Sequence, residues 1–286
     1  MSDLGSTRQE SEVTIAFPIS FGVESLQGRL LVLSIRKFIS KTIRIIAFRP
    51  PHSLSLTDDT LSLFDEMNVE TIMTSPKLYY KYGDRSLRKI DFLSNGTFFE
   101  NILLLDPSLI FIKTADLADL IPNNIDFLAQ TAFKKEVVSR GDLISLIKRS
   151  PWYRHSFQMV EPFLYNDGAV FVGGESNFSK NWESVTSWIL SDKDSAENIR
   201  SRATQIALTV IFSLGLNSAS HLPRGWNCTP NAIRDAVLVN YFSSGIALKS
   251  AMVSRIFENL SGEADEVGLN ALGELTIKDL RTILSK

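Results

Sequence analysis

Cysteine is nearly absent: Cys228 stands alone among 286 residues. That excludes an internal disulfide, a cysteine zinc site and an iron-sulfur cluster, and it fits a reducing compartment. Histidine is scarce as well. His52, His155 and His221 are isolated, and no His-Glu-x-x-His spacing sets two metal ligands on one helical face. Neither sign of charge dominates, because 30 Lys and Arg face 32 Asp and Glu for a net charge of -2. The field that draws proteins onto nucleic acid or acidic membranes is therefore missing. The strongest apolar runs, Ile102 to Leu105 and Ile206 to Phe212, fall far short of the roughly 20 residues of a membrane-spanning helix. Met1 to Glu12 is polar and carries acids where a secretory signal needs a basic start and an apolar stretch. The expectation is a cytoplasmic protein without a transmembrane segment. Neither Gly-x-Gly-x-x-Gly nor Gly-x-x-x-x-Gly-Lys-Ser/Thr occurs, so dinucleotide and P-loop readings lack support.

What is present is the balance of a folded globular chain, 44% hydrophobic and 22% charged. Val13 to Phe17 reads as a strand, Glu24 to Phe38 as a helix with Leu26, Leu30 and Leu33 at turn spacing, and Ile43 to Phe48 as a strand stopped by Pro50-Pro51. Thr57 or Asp58 can cap a helix through about Met67, ahead of a strand over Val69 to Met73. A helix from Arg85 to about Ser94 then leads into an Asn101 to Leu105 strand, which ends at Asp106-Pro107-Ser108. This alternation predicts an α/β fold: a mostly parallel central sheet flanked by helices, with ligands beyond the carboxyl ends of the strands. Further on, Ile125 to Gln130 and Phe163 to Val172 read as strands, the latter interrupted at Asn166-Asp167-Gly168. Phe178 to Leu190 and Ser201 to Leu214 read as helices, and Ala236 to Phe242 as a strand. No internal repeat or low-complexity linker divides the chain. The expected organisation is a flexible N-terminus over 1–12, one domain over 13–250 and a C-terminal helical appendage over 251–286.

Five segments recur in a set order. Lys89 through Asp106-Pro107-Ser108 resembles a helix leading into a strand that ends in Asp-x-Asp; Leu164-Tyr-Asn166-Asp167-Gly168-Ala-Val resembles a Phe-Asn-x-Gly-Val segment. Thr204-Gln205-Ile-Ala-Leu208 stands where Asp-Gln-x-x-Leu is expected, and Leu222-Pro-Arg-Gly-Trp226-Asn227 is similar to a Leu-Pro-x-x-Trp-Asn loop. Val237 through Asn240-Tyr241 to Gly245 resembles a closing Ile-x-His-Tyr and glycine segment. Together they resemble nucleotide-sugar glycosyltransferases of the GT-A fold, in the glycogenin and bacterial galactosyltransferase group (glycosyltransferase family 8-like).

The resemblance implies transfer of a hexose from a nucleotide-diphosphate sugar, a UDP-sugar above all, to an acceptor hydroxyl with retention at the anomeric carbon. The acceptor, whether glycan, protein or small molecule, is not specified. It implies donor contacts from Lys89, Asp106, Ser108, Asn166 and Gly168, with Asp167 and Gln205 as catalytic candidates. Asp106, Ser108 and Asn240 occupy the places of two aspartates and a histidine that hold a divalent cation in that group. With Ser and Asn at two of three positions, Mg²⁺ or Mn²⁺ is expected to be held loosely, shared with phosphate, or replaced by a side-chain cation such as Lys249 or Arg224. Thr204 replaces an acid that often precedes the glutamine. These departures keep two alternatives open: a nucleotide-sugar-fold binding or scaffold protein without catalysis, and a nucleotidyltransferase with a related sheet.

Overall fold

The computed structural model describes residues 13–51, 54–96, 101–121, 125–132, 138–154, 159–174, 176–228 and 236–240. The expected N-terminal segment 1–12 and the appendage 251–286 lie outside the described residues, as does Lys249. Strand β1 (Val13–Pro18) leads through Gly22, at φ 81°, into helix α1 (Val23–Phe38). Strand β2 (Ile45–Arg49) is followed by α2 (Asp58–Glu66), whose first turn is capped by the Thr57 hydroxyl, and then by β3 (Val69–Met73). A helix that the sequence reading does not include, α3 (Lys77–Tyr82), comes next. The helix expected from Arg85 divides into a 3-10 turn over Arg85–Leu87 and α4 (Arg88–Asn95). After β4 (Asn101–Leu105) come β5 (Leu109–Phe111), β6 (Phe127–Thr131), α5 (Arg140–Arg149), β7 (Tyr165–Val172), α6 (Phe178–Ser191), α7 (Glu197–Arg200), α8 (Ala203–Ser213), β8 (Ala219–His221) and β9 (Leu238–Asn240).

Seven strands form the central sheet in the order β3-β2-β1-β4-β7-β6-β8, mostly parallel and flanked by helices. Every neighbouring pair is parallel except the two that involve β7, so β7 alone is reversed. Of the strand expected over Ala236 to Phe242, Tyr241 and Phe242 lie outside the described residues; β9 within it pairs with β5 in an antiparallel ribbon separate from this sheet.

Period-two alternation splits the apolar strand residues between two cores. Ile15, Phe17, Ile45, Ala47, Leu103 and Leu105 pack with Leu31, Val32 and Ile35 of α1 on one face. Ala16, Ile46, Phe48, Ile102 and Leu104 pack on the other with α4, α6 and α8. Both faces are covered, which is why these strands read as unbroken apolar runs rather than as polar-apolar alternation. Gly28 allows α1 to lie close to β1: a Cβ there would stand 2.9 Å from Ile19 Cδ1 and 3.1 Å from the Phe17 ring. Trp182, fully buried on α6, donates its indole N–H to the Thr204 carbonyl at 3.0 Å and fixes the first turn of α8. Among the described residues no helix is long and apolar enough to cross a membrane.

Candidate active site

The reversal of β7 brings the site together. Because β4 and β7 are antiparallel, with Leu105 opposite Ala169, the beginning of β7 lies beside the carboxyl end of β4. Asp106 N–H donates to the Gly168 carbonyl at 2.7 Å, one residue past the end of β4. On its other side β7 loses register with β6: Ala129 pairs with Val170, but Gln130 pairs with Asn166. The interruption expected at Asn-Asp-Gly is thus a bulge in a continuous strand, the device by which a sheet re-aims a side chain. Asp167 occupies it and turns to α8, where Gln205 Nε2 donates to its Oδ1 at 3.0 Å and Thr204 adds a side-chain hydrogen bond.

Lys89 closes the cluster from α4. Its Nζ donates to Asp106 Oδ1 at 2.9 Å and to the Asp167 carbonyl, and lies 3.8 Å from Asp167 Oδ2. The side chain is 2% exposed, so this helix lysine is buried rather than solvated. Buried charge persists only when paired. Burial works against the ammonium, but the Asp106 and Asp167 carboxylates outweigh it and hold the Lys89 pKa above the ordinary lysine value. The two acids diverge. Burial pushes Asp106 up against the pull of Lys89, and the like charge of Asp167 adds to the rise. Burial also opposes the Asp167 charge, yet Lys89 and the hydrogen bonds from Thr204 and Gln205 prevail, so its pKa falls below the aspartate value.

Lys89, Asp167, Thr204 and Asn227 form a buried floor; Asp106, Ser108, Asn166, Gln205 and Arg202 form a half-buried rim. Asn166 Oδ1 accepts from Gly168 N–H at 2.9 Å. A Cβ on Gly168 would stand 3.1 Å from Asn227 Oδ1 and 3.2 Å from both Asn166 Oδ1 and Asn227 Nδ2, so glycine is what admits the two carboxamides here. Asn227 is in the left-handed region at φ 55°, which asparagine tolerates. It is held between Trp226, edge-on to Phe111 at 5.8 Å, and Cys228, whose backbone bridges to Val239. The Cys228 thiol is buried, its pKa raised by that burial. That environment suits a packing residue better than a nucleophile.

Six residues expected at the site, Lys89, Asp106, Asn166, Asp167, Gly168 and Gln205, therefore meet in one cluster. Ser108 lies in the turn next to it, closed by Leu109 N–H onto the Asp106 carbonyl, and Asn240 of β9 stands opposite Leu109 of β5. As metal ligands, these three offer one carboxylate with an oxygen committed to Lys89, one hydroxyl and one carboxamide. Among the described residues no group of three or more His, Cys, Asp or Glu could hold a metal ion. This donor set does not fit a resident divalent cation, since the fixed positive charge at the Asp106 carboxylate is already the Lys89 ammonium.

The sequence reading does not include two contributors. Arg202, the N-cap residue of α8, donates from Nη1 to Gln205 Oε1 at 3.3 Å. Arg88, next to Lys89 and 5% exposed, forms a two-point ion pair with Glu24 at 2.9 and 2.8 Å, while Ser20 donates to the same carboxylate at 2.7 Å. That pair ties the first turn of α1 to the helix carrying Lys89, and Ser20 brings in the loop after β1. Burial opposes the Glu24 charge, but Arg88 and Ser20 overcome it and lower its pKa. Glu24→Gln, which strands a buried guanidinium, is expected to lower stability at pH 7 by about 3 kcal/mol, measured by urea unfolding. The native contribution is present above the ordinary glutamate range and is lost as pH falls through the lowered pKa. The gap between the two proteins should therefore close in acid; a gap independent of pH would exclude the ion pair as its origin.

No protein-family model matches the chain, and no curated protein matches it in sequence. Solved structures do match. The galactosyltransferase LgtC, solved with donor and acceptor sugar analogs, aligns at TM-score 0.61 and 11% identity over 87% of this chain and 95% of that one. The bifunctional glycosyltransferase WbbM in its apo form gives 0.60 and 14% over 87% of this chain, which spans only 49% of WbbM. Mouse xyloside xylosyltransferase 1, also apo, gives 0.50 and 10% over 81% and 97% of the two chains. At such identities the likeness is one of architecture: this chain has the GT-A fold, resembling the galactosyltransferase group.

Proposed function

We propose that this protein is a cytoplasmic glycosyltransferase that moves a hexose from a UDP-sugar to an acceptor hydroxyl with retention. The observation that carries the reading is the Lys89-Asp106-Asp167-Gln205 cluster at the carboxyl end of β4, where open α/β sheets take their ligands. The bond broken joins the anomeric carbon to the diphosphate oxygen, which leaves with the electron pair as UDP; the bond formed joins that carbon to the acceptor oxygen, whose hydroxyl proton passes to the departing phosphate oxygen. Asp167, held ionised by Lys89, Thr204 and Gln205, places a fixed negative charge next to the sugar as positive charge develops on the anomeric carbon. Gln205, Asn166 and Asn227 orient sugar hydroxyls. Asp106, on the rim and 33% exposed, faces the donor while holding the Lys89 ammonium. No step passes through a metal.

Ser108, Thr204 and Asn240 motivate a second reading, a donor-binding scaffold without turnover. Thermal unfolding against UDP-, GDP-, ADP- and dTDP-sugars, each with Mn²⁺, Mg²⁺ or EDTA, tests the first step. A ligand bound only by the folded state at 100 times its Kd adds about 2.7 kcal/mol. Stabilisation by UDP-sugars followed by sugar transfer to an offered glycan supports the transferase. UDP-sugar binding without transfer or donor hydrolysis supports the scaffold, and no stabilisation by any nucleotide overturns the donor site.

A further inference from the structure

The rim carries a positive charge that the proposed chemistry leaves unused. Arg202 is half-buried, and among the described residues its guanidinium makes one hydrogen bond, to Gln205 Oε1 at 3.3 Å. Among the described residues no carboxylate pairs with it. The contrast with the other cations at the site is sharp: Lys89 is sealed between two acids and Arg88 is taken up at two points by Glu24. A guanidinium has five N–H donors in a planar fork suited to two oxygens of a carboxylate or phosphate. Holding one on Gln205 fixes the fork at the mouth of the site and leaves the remainder for a ligand. The charge count agrees. Lys89 offsets only one of Asp106 and Asp167, so an anionic ligand approaching the floor meets net repulsion unless the rim supplies a cation.

We propose that Arg202 receives an oxyanion of the substrate and makes the site selective for an anionic ligand, at the edge formed by Arg202 and Gln205. The proposal rests on the transferase reading for its two sources of oxyanion: the diphosphate of the donor, or an acidic group on the acceptor. The competing role is that Arg202 only steadies Gln205, which would make it indifferent to ligand charge.

The test is calorimetric titration of the full chain and of its Arg202→Gln and Arg202→Lys variants with four probes: UDP, uridine, glucose 6-phosphate and methyl glucoside. Arg202→Gln is expected to raise the Kd for UDP, or for glucose 6-phosphate, at least tenfold while leaving uridine and methyl glucoside within twofold. Arg202→Lys, which keeps the charge but not the fork, is expected to fall between. Loss confined to UDP assigns the oxyanion to the donor, and loss confined to glucose 6-phosphate assigns it to an acidic acceptor. Equal loss on charged and neutral probes, or no loss on any, overturns the proposal. Wild-type binding of UDP, with neither UDP nor glucose 6-phosphate weakened by Arg202→Gln, would sink this inference while sparing the donor site. Glucose 6-phosphate binding that depends on Arg202, in a protein that ignores UDP, would do the reverse. Binding of no probe by the wild type overturns both.

Discussion

Lys89→Met is expected to lower stability at pH 7 by about 3–5 kcal/mol, the range for breaking a buried ion pair by removing one partner. Transferase activity should disappear with it. Methionine fills a similar volume, so the loss is electrostatic: Asp167 and Asp106 would face each other across the place where Nζ stood 2.9 Å from one and 3.8 Å from the other. The native Lys89 contribution is present at every pH below the lysine value in the unfolded chain and is lost as pH rises through the raised folded pKa. In the variant the dependence inverts in acid, because protonating the stranded carboxylates removes the repulsion, so the deficit should shrink below the ordinary carboxylate range. Urea unfolding across pH measures both arms. Lys89→Met with Asp106→Asn should recover much of the stability without the activity. A double variant no more stable than Lys89→Met would show that carboxylate repulsion is not the cause.

The origin of this lysine's role explains what the sequence makes legible. Strands β1, β2 and β4 follow from runs of branched apolar residues buried on both faces, although β2 spans Ile45–Arg49 where the sequence predicts Ile43 to Phe48; β3 is largely exposed and is legible from its place after the capped helix. Helix α3 is not legible, because its cap is not local: Asp91, thirteen residues from Leu78 along the chain, accepts from Leu78 N–H at 2.8 Å and Tyr79 N–H at 2.9 Å. The site residues on β4, β7 and α8 are legible as types at set places. Their contacts are not, since a lysine is ordinarily a surface residue and nothing local shows that β7 reverses. One signal was available: Lys89, Phe92 and Leu93 lie at i, i+3 and i+4 on one helical stripe, with Phe92 and Leu93 in the core. A lysine on an apolar stripe needs a buried partner, and the nearest acids at a strand end were Asp106 and Asp167. Arg202 and Glu24 left no such trace. Each lies on a helix end with polar neighbours, where a charge is usually solvated.

Asp167→Asn should separate chemistry from stability. Asparagine keeps the shape of the bulge and leaves Lys89 paired with Asp106, so the loss of stability at pH 7 should be smaller than that of Lys89→Met and should close as pH falls through the lowered Asp167 pKa. Turnover should fall about 10²–10³-fold, the effect of removing one preorganised electrostatic group, with donor affinity within about threefold. The pH profile then identifies which acid sets the acid limb. In the wild type the Asp167 pKa lies below the ordinary aspartate value, whereas that of Asp106 lies above it, raised by burial and by the charge of Asp167 against the pull of Lys89. The acid limb of the wild type should therefore report Asp106. Neutralising Asp167 removes a like charge, so the Asp106 pKa must drop and the residual limb must move to lower pH. A limb that stays in place would show that Asp106 is not the titrating group, and unchanged turnover would remove Asp167 from the chemistry. The expected pair of results, a large loss of rate with a downward shift of the limb, is one that a purely structural bulge residue has no means to produce.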